Sequence, residues 1–483
     1  MSKEIRFNAF AMNCVGHQAP GLWRHPRDRS DRYIDLNYWT DLARLLERGK
    51  FDGLFLADVL GPYDVYQGTA DAAIHGGIQI PVNDPLLLVS GMATVTEHLG
   101  FGVTCALTYE HPYPFARRAS TLDHLTKGRF AWNIVSGYLD SAARNFGFDQ
   151  QTRHDDRYDL AEEYMEVCYK LWEQSWQHDA VRRDRKSGLF ADPAKVHGIN
   201  HTGKYFKVPG FNLSEPSLQR TPVLYQAGAS RRGRDFAAKH AECVFVSGPS
   251  ASIIKKYVQD LRHRAAEFGR GQILVFAMFT IIVAPTEREA LEKLHEYRSY
   301  IDHEGALALM SGWTGVDLST YNLDEELRPT KTDAGQSALE TFTVGEPNRR
   351  WKIREIAEFV GLGGRGPIVV GSPKQVADQL EQWAAETDVD GFNLTYAVMP
   401  ETYENIIDLL VPELQRRGVY KKEYRSGTLR EKLFGQGPHL LETHPGRRVR
   451  REGARVCRSA EGVVQESLRR SPGRSPRNCN KNR

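Results

Sequence analysis

The stretch TPVLYQAGASRRGRDFAAKHAECVFVSG, Thr221 to Gly248, contains the reading that decides the fold. A short apolar run behind a proline (PVLYQ) ends in small residues (AGAS). A basic segment then becomes amphipathic (RRGRDFAAKHAE), and a second apolar run (CVFVSG) follows. Continuous apolar runs suit strands buried on both faces, as parallel sheets require, and the segment between them has helical spacing. The stretch is a strand–helix–strand unit with Ser230 as the predicted N-cap. Its turn also fits an anion site, because backbone N–H groups, the helix dipole and the Ser230 hydroxyl all converge there.

Outward from this unit the same theme recurs. IRFNAFAM precedes LNYWTDLARLLERGK; FDGLFLAD precedes PLLLVSGMATVTEHLG; FGVTCALTY precedes FARRASTLDHLTKG; RFAWNIVSG precedes LAEEYMEVCYKLWEQ. After CVFVSG come ASIIKKYVQDLRHRAAEF, the long run ILVFAMFTIIVAP with TEREALEKLHEYRSYI, and GFNLTYAV with TYENIIDLLVPELQRRG. Eight such units predict an α/β fold, a (β/α)8 TIM barrel; the count alone leaves an open doubly wound sheet as the alternative. Such barrels typically take about 250 residues, so the excess is assigned to insertions near 175–221 and 302–350, both rich in Gly, Pro and polar residues. The barrel domain is read as residues 1–445.

The chain has 483 residues, 41% of them hydrophobic and 26% charged, which is enough to build a large core. MSKEIRFNAF lacks the apolar segment of a signal peptide, and Ile273–Pro285 is too short to span a bilayer, so a cytoplasmic protein without a membrane partner is expected. Cys14, Cys105, Cys168, Cys243, Cys457 and Cys479 show no C-x-x-C spacing and read as reduced thiols. The net charge of +3 conceals an asymmetry. Residues 446–483 carry twelve Lys and Arg against three Asp and Glu, a surplus of nine, which leaves −6 for the rest. This tail has almost no apolar periodicity and reads as disordered, either a nucleic-acid-binding arm or an appendage without function. The domain itself is assigned no nucleic-acid partner.

Barrel enzymes build their sites at the C-terminal ends of the strands. The polar residues expected there are Asn13, Cys14 and His17 after the first strand, Asp58 after the second, and Thr104, Tyr109 and His111 in and after the third. Ser136 and Tyr138 follow the fourth, and Ser230 follows the fifth. GLGGRG (Gly361–Gly366) fits G-x-G-x-x-G, but it follows a helical segment and leads into PIVVG, so it reads as a helix C-cap and turn, not a dinucleotide fingerprint. The dispersed histidines lack metal-ligand spacing, and no metal is assigned. Asp58 has no obvious partner carboxylate for glycoside chemistry. His154 and Tyr158, four apart, share a helix face; with Ser230 they offer three hydrogen-bond donors to one anion. Asp155 or Asp156 is the expected cap of their helix.

WNIVSGYLDSAARNFGFDQQTRHDDRY, LDHLTKGR, ADPAKVH, FDGLFLAD and QAGAS resemble the bacterial-luciferase-like flavin monooxygenases. More narrowly they resemble the branch that oxidises nitrilotriacetate, dibenzothiophene sulfone, long-chain alkanes and dimethyl sulfide. The resemblance runs from about Ile5 to about Pro445. It implies a barrel that binds reduced FMN delivered by a separate NADH-dependent flavin reductase, a homo-oligomeric assembly, and transfer of one oxygen atom of O2 to substrate. It places Asp58 and Thr104 near the isoalloxazine ring and His154, Tyr158 and Ser230 on the phosphate. Cys14, His17, Tyr63, His111 and Tyr138 are the remaining residues for the reacting face, with His17, Tyr63 and Tyr138 assigned as catalytic. Tyr138 resembles a position held by histidine in the alkane-oxidising member. Within the branch, the implied substrate is a small organic sulfide, with dimethyl sulfide converted to methanethiol and formaldehyde; the alternatives are the same flavin chemistry on a sulfone, alkane, amine or polycarboxylate, or a flavin-binding protein without turnover. The aromatics Tyr63, Tyr66, Tyr109, Tyr113, Tyr138 and Trp313 are the expected pocket wall.

Overall fold

A computed structural model describes residues 3–346 and 349–449. Eight strands form the barrel: β1 Arg6–Met12, β2 Gly53–Ala57, β3 Gly100–Ala106, β4 Phe130–Val135, β5 Val223–Gln226, β6 Cys243–Val246, β7 Leu274–Val283 and β8 Gly391–Thr395. Each is one of the apolar runs read from the sequence. All neighbours pair in parallel. The sheet closes because β6 also pairs with β7 (Cys243 opposite Leu274) while β8 pairs with both β7 and β1. The structure is a closed TIM barrel, not an open sheet. Its main core lies between the strands and the surrounding helices, where Phe7, Leu54, Phe101, Trp132, Leu224 and Phe392 are all buried.

The N-terminal end of the barrel is plugged. Helix Leu429–Phe434 begins in a capping box between Thr428 and Glu431 and packs Leu429 and Leu433 against Phe55, Tyr225, Phe245 and Phe276. The Arg430 guanidinium is fully buried there, donating to both carboxylate oxygens of Glu242 at 2.7 and 2.8 Å and to the Thr221 and Pro222 carbonyls. A buried charge needs this full set of partners to be tolerated.

The two insertions differ. Residues 175–221 form small hairpins, Val181–Asp184 with Leu189–Ala191 and His201–Thr202 with Lys207–Val208. Residues 302–350 are more ordered than their composition suggests: helix His303–Thr314 is buried from Gly305 onward, and with helices Gln336–Thr343 and Ile353–Gly363 it builds a second core. That core contains Tyr63, Tyr66, Trp313 and Trp351. A further departure is strand Ile368–Gly371, which pairs with Thr280–Val283, the end of β7 that rises past the pairing with β8. GLGGRG ends helix Ile353–Gly363 with Gly364 at φ +62°, as a C-cap and turn. Gly446 and Val449 pack against the domain, and the remaining tail, 450–483, lies outside the described residues. Among the described residues no helix is long and apolar enough to cross a membrane.

Candidate active site

The C-terminal ends of the strands open into a cavity of about 340 Å³. His17, Asp58, Tyr63, Thr104, Tyr138, His154, Tyr158 and Ser230 all line it, although they come from β3 and from segments after β1, β2, β4 and β5. At one end, Ser230 caps helix Arg231–His240, its hydroxyl accepting from the Gly233 N–H at 3.0 Å. Burial raises the Tyr158 phenol pKa, opposed by its hydrogen bond to Ser230. The His154 ring packs edge-on to Tyr158, with centroids 5.2 Å apart. His154 opens helix His154–Tyr169; neither Asp155 nor Asp156 is its cap, and both sit in its first turn. Of the basic run, Arg231 is exposed, Arg232 pairs with Asp159 at 2.6 Å, and only Arg234 lines the cavity.

This end is shaped as a cradle. A Cβ on Gly228 would collide with the Gln226 side-chain amide, and one on Gly233 would lie 2.7 Å from the Tyr158 hydroxyl and 3.0 Å from Ser230 Oγ. Glycine at both positions lets a ligand reach backbone N–H groups at a helix start, which is the geometry of a phosphate site. The Asn133 and Asn393 side chains also line the cavity, and their carbonyl oxygens are buried without a partner. Buried acceptors of this kind are normally satisfied, and an N–H-bearing ring would satisfy them. Thr104 Oγ accepts from Asn133 at 2.9 Å. The residues present therefore fit FMN at both its phosphate and its ring.

The other end holds a directed hydrogen-bond chain. The Gln79 amide nitrogen donates to the His17 carbonyl at 2.9 Å, which leaves Gln79 Oε1 to accept from the Tyr63 hydroxyl, also at 2.9 Å. Tyr63 has then used its proton, so the Tyr138 hydroxyl, 3.0 Å away, donates to it. Burial raises both phenols above their ordinary range. It lowers the His17 imidazole to about 3, so the ring is neutral. Gln18 donates to His17 Nε2 at 3.2 Å, which puts the ring proton on Nδ1. Asp58 is pushed up to about 7, mainly by burial and further by Asp84.

Several sequence expectations end elsewhere. Cys14 is buried beside the cavity without lining it, and burial raises its thiol pKa. His111 turns back to cap its own helix, accepting from the Tyr113 N–H. Tyr109 stacks on Phe146 and accepts from Gln151. Tyr66 belongs to the second core and Tyr113 packs against the main one, so of the expected aromatic wall only Tyr63, Tyr138 and Trp313 face the cavity. The sequence reading missed Gln18, Gln79, Asn133, Arg157 and Arg365. Two of these had a usable signal: Asn133 is polar inside a buried strand, and Arg365 interrupts a run of glycines.

A closed parallel barrel whose strand C-termini open into a cavity lined by a helix start, hydroxyls and three arginines has the arrangement of a barrel enzyme's site. The chain belongs to the luciferase-like monooxygenase family, whose model matches residues 7–391, and it is a monooxygenase. It is 52% identical to dimethyl-sulfide monooxygenase of Hyphomicrobium sulfonivorans over 453 residues, 93% of this chain and 94% of the relative. The crystal structure of that organism's DmoA superposes with a TM-score of 0.87 at 51% identity, covering 93% of this chain and 96% of the other. Long-chain alkane monooxygenase of Geobacillus thermodenitrificans is also 52% identical, over 94% of this chain and all of the relative. A riboflavin lyase (RcaE), solved with modified FMN and riboflavin, superposes with a TM-score of 0.87 at 37% identity over 93% of this chain and 100% of its own.

Proposed function

We propose that this protein is the oxygenase of a two-component system: it takes reduced FMN from an NADH-dependent flavin reductase and oxidises a small organic sulfide, dimethyl sulfide being the simplest, to a thiol and an aldehyde. In this reading it works in the cytoplasm as a homo-oligomer. The observation that carries the reading is the convergence of the Ser230 cradle and the Tyr138–Tyr63–Gln79–His17 chain on one cavity. When bound, reduced FMN supplies the electrons that send one atom of O2 to substrate and the other to water.

The chain's own residues do the rest. Ser230, Tyr158 and His154 hold the phosphate, and Thr104, Asn133 and Asp58 orient the ring. Trp313 and the second core close the mouth and exclude water, which limits wasteful release of peroxide. Tyr138, whose proton is committed to Tyr63, turns its oxygen lone pairs to the reacting atoms as an acceptor without ionising.

The test is methanethiol release from dimethyl sulfide in air with FMN, NADH and a generic flavin reductase. Protein-dependent release supports the reading. Oxygen uptake that ends only in peroxide, with every small sulfide tried, rejects the sulfide; failure to bind FMN rejects the reading altogether.

A further inference from the structure

Three arginines line the cavity, and two are engaged. Arg157 donates to the Gly137 and Asp333 carbonyls, and Arg234 to the Ala229 carbonyl while pairing with Asp260 at 2.6 Å. Arg365 is different. It enters from the glycine-rich turn before strand Ile368–Gly371, where Gly366 lies so close to the Met278 carbonyl that a Cβ would collide with it. Its guanidinium lies over the Trp313 ring, 5.2 Å from the centroid. Among the described residues it makes no hydrogen bond and no ion pair, and the groups that act on its charge are the phenols of Tyr138, Tyr257 and Tyr63, with no carboxylate.

Arg365 is half-buried and has no protein acceptor, so its guanidinium nitrogens are left to solvent, and an aromatic face offsets only part of the cost of that burial. Keeping such a cation beside the reacting face is reasonable if a ligand supplies the acceptor. The phosphate has its own donors at the Ser230 end. The planar, five-donor fork of arginine suits an oxyanion with two parallel oxygens. We propose that Arg365 anchors an anionic group of the substrate, so that the preferred sulfide carries a carboxylate or sulfonate a few bonds from its sulfur, with Trp313 as the apolar wall for the thioether. This rests on the flavin monooxygenase reading and narrows its substrate class. For (methylthio)acetate, one oxygen atom of O2 enters a C–H bond next to sulfur. The other leaves as water with two electrons and two protons from the reduced flavin. The hydroxylated carbon then becomes a carbonyl as its C–S bond breaks, its hydroxyl proton passing to sulfur to give a thiol and an aldehyde.

The experiment compares (methylthio)acetate with ethyl methyl sulfide, its neutral analogue of similar size, on the full-length enzyme supplied with FMN, NADH and a flavin reductase. Perturbation of the bound-FMN absorbance gives the same comparison without turnover. A KM for the anion at least about tenfold below that of the neutral sulfide is expected, and Arg365→Met narrows the gap by about ten- to a hundredfold, chiefly through KM. Arg365→Lys, which keeps the charge and loses the fork, retains part of the preference. Equal KM and equal binding in the parent enzyme overturn the proposal without recourse to a variant, and so does a gap unchanged in both variants. FMN affinity is read separately by fluorescence quenching. If it falls about tenfold in Arg365→Met, the guanidinium serves the cofactor and the proposal is overturned. A parent enzyme that fails to bind FMN refutes the underlying reading instead.

Discussion

Ser230 has two roles that two substitutions separate. Its hydroxyl oxygen accepts from the Gly233 N–H, which caps helix Arg231–His240, and the same hydroxyl lines the cradle proposed for the phosphate. Ser230→Ala removes both: loss of the cap costs about 1 kcal/mol of stability, and loss of a hydrogen bond to a charged group costs about 1.5–3 kcal/mol of FMN affinity, roughly ten- to a hundredfold. Ser230→Asp keeps the cap, because aspartate accepts from the same N–H and its charge suits the helix start. It also sets a carboxylate about 4 Å from a phosphate oxygen, which at an effective dielectric near 20 is worth up to ~4 kcal/mol of repulsion, several hundredfold in Kd. The two variants must therefore rank in opposite orders. Urea denaturation of the apoprotein should place the aspartate variant above the alanine variant, and FMN titration followed by flavin fluorescence should place it below by tenfold or more. An aspartate variant that binds FMN as tightly as the alanine variant would refute the phosphate assignment, whatever the stabilities.

Asp58 gives a pH test. Its folded pKa of about 7 lies above the ordinary 3.8, chiefly through burial, so the folded state binds the extra proton and loses this stabilisation as pH rises from about 4 to 7; Asp58→Asn, compared with the parent by urea denaturation, should gain relative stability at pH 8 over pH 4. Gly233→Ala gains roughly 1 kcal/mol of helix propensity but places a methyl 2.7 Å from the Tyr158 hydroxyl; FMN affinity measured by titration should fall while the fold is kept. Tyr63→Phe strands the buried Gln79 Oε1, costing about 1–3 kcal/mol of stability, and frees the Tyr138 proton from its acceptor; an oxygen electrode with peroxide detection should show less product and more peroxide per NADH. Arg430→Met leaves Glu242 as an uncompensated buried charge and should cost about 3–5 kcal/mol in a denaturant titration.

The eight barrel strands were legible because each is an apolar run between turn residues and each is buried on both faces, so composition and position agree. Strand Ile368–Gly371 was not, since PIVVG is too short to stand out and pairs only with the end of β7 that overshoots β8. Helix His303–Thr314 was hidden by its Gly, Ala and Ser content, which reads as a loop but here allows close packing in the second core. At the site, residues at strand ends were easy to nominate because barrel topology places them on one face. Direction was not legible. Cys14 and His111 also follow strands, yet one side chain points into the core and the other back onto its own helix. Gln79 and Arg365 reach the cavity from loops whose course depends on the second core, and no local pattern reports that.

The charge distribution in the cavity argues for how such an enzyme divides its work. Around Ser230 there are a helix start, a guanidinium and polar hydroxyls, a field that holds an anion without help from solvent. Around His17 the Arg365 guanidinium is the one standing charge among the described residues, and burial has removed the rest: the imidazole is held neutral, down to about 3, the phenols are held protonated, and Asp58 stands at the edge of ionisation near neutral pH. A region of neutral donors in low dielectric stabilises developing charge strongly because it need not reorganise, and it supplies a proton only along the path its hydrogen bonds allow. The amide of Gln79 sets that path, since its orientation decides that Tyr138 gives to Tyr63 and not the reverse. Gln79→Glu would put an acceptor-only carboxylate at the end of the chain, lose the bond to the His17 carbonyl and import a charge into a region from which burial has removed it. Its expected signature is a pH-dependent loss of product with FMN binding intact, the loss growing as the new carboxylate ionises. A pH-independent loss would mean that Gln79 acts through packing alone, and the directed proton chain would have to be abandoned.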